Sequence, residues 1–419
     1  MIRTMFVLYE VLLYLGLFLA LPYFLLTGAL REKYLANLAA RRGFYPTLRA
    51  THDLWIHAVS VGETLAARPV VEAILRMRPS TTIVFTTTTV TGQAQARKFF
   101  PNATVTYFPF DFSSSVTRFL NHHSPRVFAT METEIWPNVT RLSRARGLKL
   151  LLANGRISDR SFPRYRLMRL FVGPVLRQYN RILAREETDR ERFIAIGAPP
   201  QIVETSGNVK FDYVPDARPL EIGPQLETLI AGRSVLVLGS TMAGEDEALI
   251  PELQRFITDR HAFVIIAPRK PERFDTVAAL LGSANLRFVR RSRGIAGVAD
   301  LLLLDTLGDL ARMYRYASVA FIGGSLVPTG GHNPIEPAAH GVPVTFGPHM
   351  SNFREIAAIF LRDGGAIESR SAGDVLAFAG RIFGDQDARR SVGERARQTV
   401  ERNRGAAART ASRIVELLA

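Results

Sequence analysis

Short apolar runs alternate with segments of helical spacing along most of the chain after residue 50. Continuous β-branched or apolar runs are typical of parallel strands that helices cover on both faces. The strands predicted in the first half are Leu54 to Ala58, Thr82 to Thr86, Val105 to Phe108, Val127 to Thr130, Leu150 to Ala153, Ile182 to Ala184 and Ile202 to Thr205. The intervening stretches, such as Leu65 to Met77, have helical spacing. The predicted fold class is therefore α/β, with a doubly wound sheet.

The alternation stops once and then restarts, which indicates two domains. Tyr213 to Gly223 reads YVPDARPLEIG, a proline-rich stretch that suits an interdomain linker. The second set of predicted strands is Ser234 to Leu238, Ala262 to Ala267, Leu301 to Leu304, Val319 to Ile322 and Val342 to Phe346. The tail from Asp387 has helical spacing and either closes the second domain or crosses back onto the first. The predicted organisation is an N-terminal segment (1–32), a first domain (33–214) and a second domain with a helical tail (215–419).

The N-terminal segment is the most apolar part of the chain. Met5 to Leu30 contains a single charge, Glu10, and is long enough as a helix for a hydrocarbon core of about 30 Å. Arg3 precedes it, whereas several basic residues follow between Arg31 and Arg49, so the positive-inside rule predicts an anchor with the body of the protein in the cytoplasm. The alternative is a helix that lies in the bilayer surface, with Glu10 and Pro22 on its polar or kinked side.

Composition favours an anionic partner. Lys and Arg number 53 against 38 Asp and Glu, a net charge of +15. The absence of cysteine excludes disulfides and cysteine nucleophiles. A basic, aromatic-bearing stretch from Asn154 to Arg169 is either a site for lipid phosphates or a solvated helix face, and no nucleic-acid partner is predicted. P-loop, GxGxxG, HExxH and Asp-rich metal motifs are absent, so no metal or cofactor is expected.

In open α/β sheets, ligands bind at the carboxyl ends of the strands. Ser60 to Glu63 follows the first strand and is either a capping box or the place of a general base at Glu63. Glu132 and Glu134 follow the fourth strand, either as helix N-terminal acids or as functional carboxylates, and Glu132 lies nearer the strand end. Lys210 is either a surface lysine or a cation that neutralises phosphate.

In the second half, the sequence indicates an anion site. A strand ends in Pro268 and Arg269, which places a permanent forked cation at the sheet edge. In the glycine-bearing loop further on, Asn333 is the predicted N-cap and Pro334 the first helical residue, so a helix N-terminus offers free amides to phosphate while Glu336 binds ribose hydroxyls. A tight turn followed by an ordinary helix start is the alternative.

Six motifs together resemble one known family. They are SVGET (60–64), METEIWPN (131–138), NGRIS (154–158), GNVKFD (207–212), APR (267–269) and GGHNPIEP (330–337). The chain resembles the 3-deoxy-D-manno-octulosonic acid (Kdo) transferases of lipopolysaccharide synthesis. That resemblance implies the GT-B architecture, with two Rossmann-like α/β domains that face a central cleft and an N-terminal membrane-anchor helix at the cytoplasmic face of the inner membrane.

The resemblance also implies an activity and a set of site residues. It implies an inverting, metal-independent transfer of Kdo from CMP-Kdo to the 6'-hydroxyl of the tetraacylated lipid A precursor, with Glu63 as general base and Glu132 and Lys210 supporting the transition state. The residues implied in binding CMP are Pro268, Arg269, Leu307, Gly308, Asp309, Asn333, Pro334, Ile335 and Glu336. Asp309 departs from the glutamate expected there. The alternatives are a different nucleotide-sugar-dependent envelope glycosyltransferase and a non-catalytic lipid-binding scaffold.

Overall fold

The computed structural model describes residues 2–27, 37–46, 48–215, 218, 220–295 and 297–419. Two compact units make up the chain. Unit 1 consists of Met1–Asp212 together with Arg404–Ala419, and unit 2 is Tyr213–Asn403. Each unit contains one seven-stranded sheet in which every pair of neighbouring strands is parallel.

Unit 1 begins with a long helix and then alternates strands with helices. Its strands are β1 (Leu54–His57), β2 (Ile83–Thr87), β3 (Thr104–Tyr107), β4 (Val127–Met131), β5 (Lys149–Gly155), β6 (Arg181–Ala184) and β7 (Val203–Thr205). Among the described residues, the helices of this part are α1 (Ile2–Thr27), α2 (Leu38–Arg41), α3 (Val61–Met77), α4 (Val90–Phe99), α5 (Ser113–His123), α6 (Pro137–Ala145), α7 (Phe162–Leu167), α8 (Arg169–Leu176) and α9 (Glu187–Ala195). Single 3-10 turns lie at Pro200–Ile202 and Val209–Asp212.

The sheet of unit 1 has the strand order β3-β2-β1-β4-β5-β6-β7. Most of its strand residues are buried because helices cover both faces, as the apolar runs predicted. Trp55 of β1 packs with ring centroids 4.2 Å from both Phe119 and Phe128 on one face. From β1, the chain adds β2 and β3 on one side of the sheet and then adds β4 to β7 on the other side. The switch point therefore lies at the carboxyl end of β1, beside the start of α3.

Unit 2 repeats the plan. Its strands are β8 (Ser234–Thr241), β9 (Ala262–Pro268), β10 (Phe288–Arg290), β11 (Leu301–Leu303), β12 (Val319–Ile322), β13 (Val344–Phe346) and β14 (Ala366–Glu368). Its helices are α10 (Gly223–Ile230), α11 (Glu245–Arg260), α12 (Phe274–Ser283), α13 (Leu310–Met313), α14 (Ile335–Ala338), α15 (Arg354–Arg362), α16 (Ala372–Gly384) and α17 (Gln386–Asn403), with 3-10 turns at Pro271–Arg273, Arg291–Arg293 and Tyr314–Tyr316. The order β10-β11-β9-β8-β12-β13-β14 puts the switch point at the carboxyl end of β8.

Every strand predicted from the apolar runs is present, and two others are not among the predictions. Both β10 and β14 are three-residue strands at sheet edges, and neither has a fully buried set of side chains. An edge strand is covered less completely, so its sequence lacks the continuous apolar run that identifies a central strand.

The end of the chain returns to unit 1 as α18 (Ala406–Leu418). Its apolar stripe, which includes Ala411 and Ile414, is buried in the same core cluster as α3. The carboxylate of Asp212 accepts hydrogen bonds from the amides of Gly405 (2.7 Å) and Ala407 (2.8 Å), which fixes the start of the helix. The tail predicted from Asp387 thus takes both predicted positions, because α17 stays in unit 2 and the residues from Arg404 cross back onto unit 1.

The first part of α1 also packs on unit 1. Phe6 is buried, the Tyr9 hydroxyl donates to Asp111 (2.9 Å), and Glu10 accepts hydrogen bonds from the amide (3.0 Å) and hydroxyl (2.9 Å) of Ser113. In the part of the chain that the structure describes, no helix has the length and apolar character needed to span a bilayer. The last three residues of the predicted anchor, 28–30, lie outside the described residues.

Candidate functional site

Three carboxylates gather at the carboxyl edge of the sheet in unit 1. Glu63 lies in the first turn of α3, directly after β1, while Glu132 and Glu134 follow β4, the neighbour of β1 in the sheet. The charges of Glu132 and Glu134 both raise the pKa of Glu63, so the three side chains share one electrostatic environment. The strand-end rule brought these residues together in the prediction, and the structure does so as well.

Glu63 occupies a capping position and yet keeps the properties of a base. Its carboxylate accepts hydrogen bonds from the amide of Val59 (2.7 Å) and the hydroxyl of Ser60 (3.2 Å). Ser60 makes no side-chain bond to the helix amides, and Glu63 bonds to the amide of Val59 rather than to that of Ser60, so the predicted capping box does not form. Burial, followed by the charge of Glu132, raises the pKa of Glu63 to about 7, a value at which a carboxylate accepts and releases protons at neutral pH.

Glu132 is held in an unusual conformation by a buried cation. It has a positive φ of 58°, which is uncommon for a residue with a side chain, and its amide donates to the Ala153 carbonyl (2.8 Å). The guanidinium of Arg185, whose side chain is only 4% exposed, forms an ion pair with the Glu132 carboxylate. The Nε–H of Arg185 also donates to the carbonyl of Asn154 (3.2 Å), so the pair is fixed to β5.

Glu134 is the third acid, and it resembles Glu63 rather than Glu132. Burial, with a contribution from the charge of Glu132, raises the pKa of Glu134 to about 7. Among the residues that the structure describes, Glu132 has the Arg185 cation and neither Glu63 nor Glu134 has an ion-pair partner. The cluster therefore combines one carboxylate paired with a cation and two carboxylates that exchange protons near neutrality.

The turn that contains Lys210 lies beside α3. Val209 is buried in the same core cluster as Ala66 of α3, and its amide donates to the Oδ1 atom of Asn154 (3.2 Å). The amide of Lys210 donates to Asn208 Oδ1 (3.1 Å). Asn154 thus contacts both the Lys210 turn and Arg185, and links the predicted cation to the pair at Glu132.

Arg269 is the cation at the carboxyl edge of unit 2. It follows Pro268, the last residue of β9, and its amide donates to the Thr241 carbonyl at the end of β8 (2.9 Å). The side chain is exposed. Burial and, second, the charge of Arg269 lower the pKa of His332 to about 4, while burial raises the pKa of Glu336 against the opposing effect of Arg269. Arg269, a neutral His332 and Glu336 therefore lie close together.

The loop before α14 differs from its prediction. The Oδ1 atom of Asn333 accepts a hydrogen bond from the amide of Ile335 (3.1 Å), and its Nδ2 donates to Glu336 (3.3 Å). The helix begins at Ile335 rather than at Pro334 and has four residues. A single turn sums few peptide dipoles, and the amide of Ile335 is already bonded to Asn333, so this helix start offers an anion fewer free amides and a smaller dipole than the prediction assumed.

The amides of the glycine turn at Gly324 are also occupied. The buried carboxylate of Glu245 accepts hydrogen bonds from the amides of Gly324 (2.6 Å), Ser325 (2.9 Å) and Leu326 (2.8 Å). An internal carboxylate thus fills the place of an anion. The exposed guanidinium of Arg269 is a cation available to a phosphate at this edge of unit 2.

The Leu307-Gly308-Asp309 turn presents backbone rather than a carboxylate. The Asp309 side chain accepts hydrogen bonds from the Thr306 hydroxyl (2.9 Å) and from Arg312 (2.6 Å), and is 3.4 Å from Arg291. Leu307 is 67% exposed, and Gly308 has a positive φ of 95° with open space around it. Because Asp309 is fully engaged inside unit 2, contacts to a ligand fall to the backbone of Leu307 and Gly308.

Comparisons with known proteins agree with these motifs. A family model described as 3-deoxy-D-manno-octulosonic-acid transferase (kdotransferase) matches residues 36–213. A 3-deoxy-D-manno-octulosonic acid transferase of Haemophilus influenzae is 33% identical over 382 residues, which cover 89% of this chain and 90% of that protein. The same enzyme of Bordetella pertussis is 35% identical over 370 residues, 85% of each chain.

The chain belongs to the Kdo transferase family. It is a glycosyltransferase, as the activity of these relatives indicates. A crystal structure of a glycosyltransferase from Rickettsia africae has the same fold, with a TM-score of 0.58 at 12% identity over 89% of this chain and 98% of that one. The prediction of an α/β protein with two Rossmann-like domains is confirmed by the two parallel sheets, and this glycosyltransferase shares the fold.

The site residues predicted from the sequence of this Kdo transferase family member do not include two side chains that lie at the sites. Arg185 follows β6, and the strand-end rule that selected Glu132 also points to it. His332 stands inside the GGHNPIEP motif, but a histidine that burial keeps neutral has no distinct sequence signal. Both become apparent only when their partners, Glu132 and Arg269, are placed beside them.

Proposed function

We propose that this protein transfers Kdo from CMP-Kdo to the 6'-hydroxyl of a tetraacylated lipid A precursor, with inversion and without a metal ion. The observation that carries the proposal is the pKa of Glu63, which burial and the Glu132 charge raise to about 7 at the switch point of unit 1. The names of the relatives indicate Kdo as the sugar that is transferred. The carboxylate cluster provides a base that can remove the proton of the acceptor hydroxyl.

In the proposed reaction, Glu63 removes the proton of the 6'-hydroxyl as the oxygen forms a bond to the anomeric carbon of Kdo. The bond between that carbon and the CMP phosphate oxygen breaks, and CMP leaves with the electron pair. The positive charge that develops on the Kdo ring is stabilised by the carboxylate of Glu132, which its ion pair with Arg185 holds in place. Lys210 stabilises the negative charge that develops on the departing phosphate.

The proposed donor site lies at the carboxyl edge of unit 2. Arg269, beside Pro268, neutralises the phosphate of CMP, and Glu336, which Asn333 orients, accepts hydrogen bonds from the ribose. Pro334 and Ile335 shape the loop, and the exposed Leu307-Gly308 backbone contacts the base, with Asp309 holding that turn from within. No metal is needed in this scheme because fixed cations carry the phosphate charge.

We further propose that unit 1 attaches to the cytoplasmic face of the inner membrane. Phe18 and Leu19 of α1 are 73% and 68% exposed. Leu167 of α7 and Leu170 of α8 are 86% and 85% exposed. The rings of Tyr9 and Phe171 lie 5.8 Å apart, so α1 and α8 are neighbours. Large exposed apolar side chains among arginines suit an anionic bilayer surface.

The role of Glu63 is tested by incubating the protein with CMP-Kdo and the lipid A precursor and measuring the mass of the product by mass spectrometry. We expect Glu63→Gln to lower the rate about 10²- to 10⁴-fold, the usual contribution of a general base, and to leave CMP binding unchanged. Full turnover by this variant would refute the role of Glu63. Stronger protection from thermal unfolding by UDP than by CMP would refute the donor, and loss of activity in excess EDTA would refute metal independence.

A further inference from the structure

Unit 1 contains a groove between α1, α6 and α8. Its volume is about 810 Å³, within the usual range of about 300–1,000 Å³ for ligand sites. Its walls are mostly apolar, with Phe6 and Val11 on α1 and Pro174 on α8. Val11 is 56% exposed, so the groove opens along an apolar face of α1.

Two guanidinium groups also line the groove. The Nε–H of Arg141 is buried and has no acceptor among the described residues, although its Nη2 atom donates to Ser113 (3.0 Å) and Asn138 (3.2 Å). Arg177 is exposed, and no described carboxylate lies within ion-pair distance of either guanidinium. An apolar channel lined by two guanidinium groups fits a molecule that has both a hydrocarbon chain and an anionic group.

One carboxylate, Glu10, also lines the groove, and its charge is already compensated. It accepts hydrogen bonds from the amide and hydroxyl of Ser113 at the start of α5 and from the side chain of Asn138 (2.5 Å). A carboxylate at a helix N-terminus is stabilised there by the amides. Glu10 therefore weakens the attraction for an anion less than an unbonded carboxylate at the same place.

One segment of chain joins the groove to the acid cluster. Asn138, which contacts both Glu10 and Arg141, is the second residue of α6 and lies in the METEIWPN segment that also carries Glu132 and Glu134. The helix that lines the groove therefore directly follows the loop that holds two of the three acids.

The geometry points to this groove as the binding site for one acyl chain of the glycolipid acceptor, with Arg141 and Arg177 binding an acceptor phosphate. This inference rests on the proposed function, because it takes a phosphorylated, acylated sugar as the acceptor. It assigns the recognition of the acyl chain to α1 and α8, which the family resemblance leaves unassigned.

Filling the groove tests the inference. Val11→Trp places an indole in the channel, and Leu12→Trp, on the neighbouring and 54% exposed residue outside the groove, is the matched control. The value of kcat/KM is measured with acceptors of full and of shortened acyl chains, and the value for long chains is divided by the value for short chains. We expect Val11→Trp to lower this ratio about tenfold, which corresponds to about two buried methylene groups. Leu12→Trp should keep the wild-type ratio. Equal ratios in the two variants would overturn the inference.

The phosphate contact of Arg177 and the transfer reaction are tested in separate experiments. Arg177→Ala should raise KM for the bisphosphorylated acceptor and leave KM for a dephosphorylated acceptor unchanged, and an equal effect on both would exclude a phosphate contact. Binding of a dansylated C11 fatty acid is measured without CMP-Kdo. We expect Val11→Trp, but not Leu12→Trp, to abolish it, and retention by both would overturn the groove assignment even if no Kdo product forms. Absence of product with normal probe binding would overturn the proposed function alone.

Discussion

The buried guanidinium of Arg185 is paired with the carboxylate of Glu132 at the carboxyl edge of unit 1. The pair gives one member of the acid cluster a cationic partner, while Glu63 has no such partner among the described residues. A carboxylate charge beside a second carboxylate favours protonation of the second, and the charge of Glu132 raises the pKa of Glu63 in this way. The ion pair thus distinguishes Glu132 from Glu63, the proposed proton acceptor.

The first prediction concerns the pH dependence of transfer. Because burial and the Glu132 charge raise the pKa of Glu63 to about 7, the base is protonated below that pH, and kcat/KM should rise about tenfold per pH unit up to about pH 7 and then level off. Rates measured from pH 5 to 9 test this. Glu134→Gln should keep the rising limb, with its midpoint at lower pH because one neighbouring charge is gone, whereas a limb that survives in Glu63→Gln would assign it to another group.

The second prediction concerns Arg185. Arg185→Met removes the cation and leaves the charge of Glu132 uncompensated, so the pKa of Glu63 should increase by about one unit, or about 1.4 kcal/mol of interaction. We expect the midpoint of the pH profile to move to higher pH, with Arg185→Lys restoring part of the shift. Arg190→Met, which breaks a surface pair with Glu187, is the control and should leave the midpoint unchanged. An unmoved midpoint in Arg185→Met would contradict the electrostatic coupling.

The third prediction concerns the donor. Arg269 is exposed beside His332 and Glu336, and a charge-assisted hydrogen bond is worth about 1.5–3 kcal/mol, so Arg269→Ala should raise the Kd for CMP about ten- to a hundredfold. Lys270→Ala, on the adjacent exposed residue, should change the Kd little. Calorimetric titration with CMP and with cytidine distinguishes a phosphate contact, because the loss should be confined to CMP.

The fold was largely predictable because its strands are apolar and central. Val127–Met131 is buried along its whole length, and such a run has few alternatives. The site was predictable only where its residues follow the ends of strands, as Glu63 and Glu132 do. The single turn of α14 depends instead on the hydrogen bonds of Asn333 with Ile335 and Glu336. No sequence pattern gives the length of so short a helix.

The fourth prediction concerns stability. Glu245→Gln replaces one acceptor oxygen with a donor and leaves two amides near Gly324 without a partner, at about 1–3 kcal/mol for each buried donor. We expect the free energy of unfolding of unit 2 to fall by about 2–6 kcal/mol. Thermal unfolding followed by near-UV circular dichroism measures it, with Glu252→Gln on the exposed side of the same helix as the control. Equal melting temperatures for the two variants would show that the amides find other acceptors.

The attachment of α18 to unit 1 has a consequence for biosynthesis. Unit 2 is one uninterrupted stretch of chain, whereas unit 1 is interrupted by it and receives α18, which Asp212 caps, from residues that follow unit 2 in the sequence. On the ribosome, the whole of unit 2 is therefore synthesised before unit 1 can be completed. Until α18 emerges, the apolar surface of α3 that packs with Ala411 and Ile414 stays uncovered.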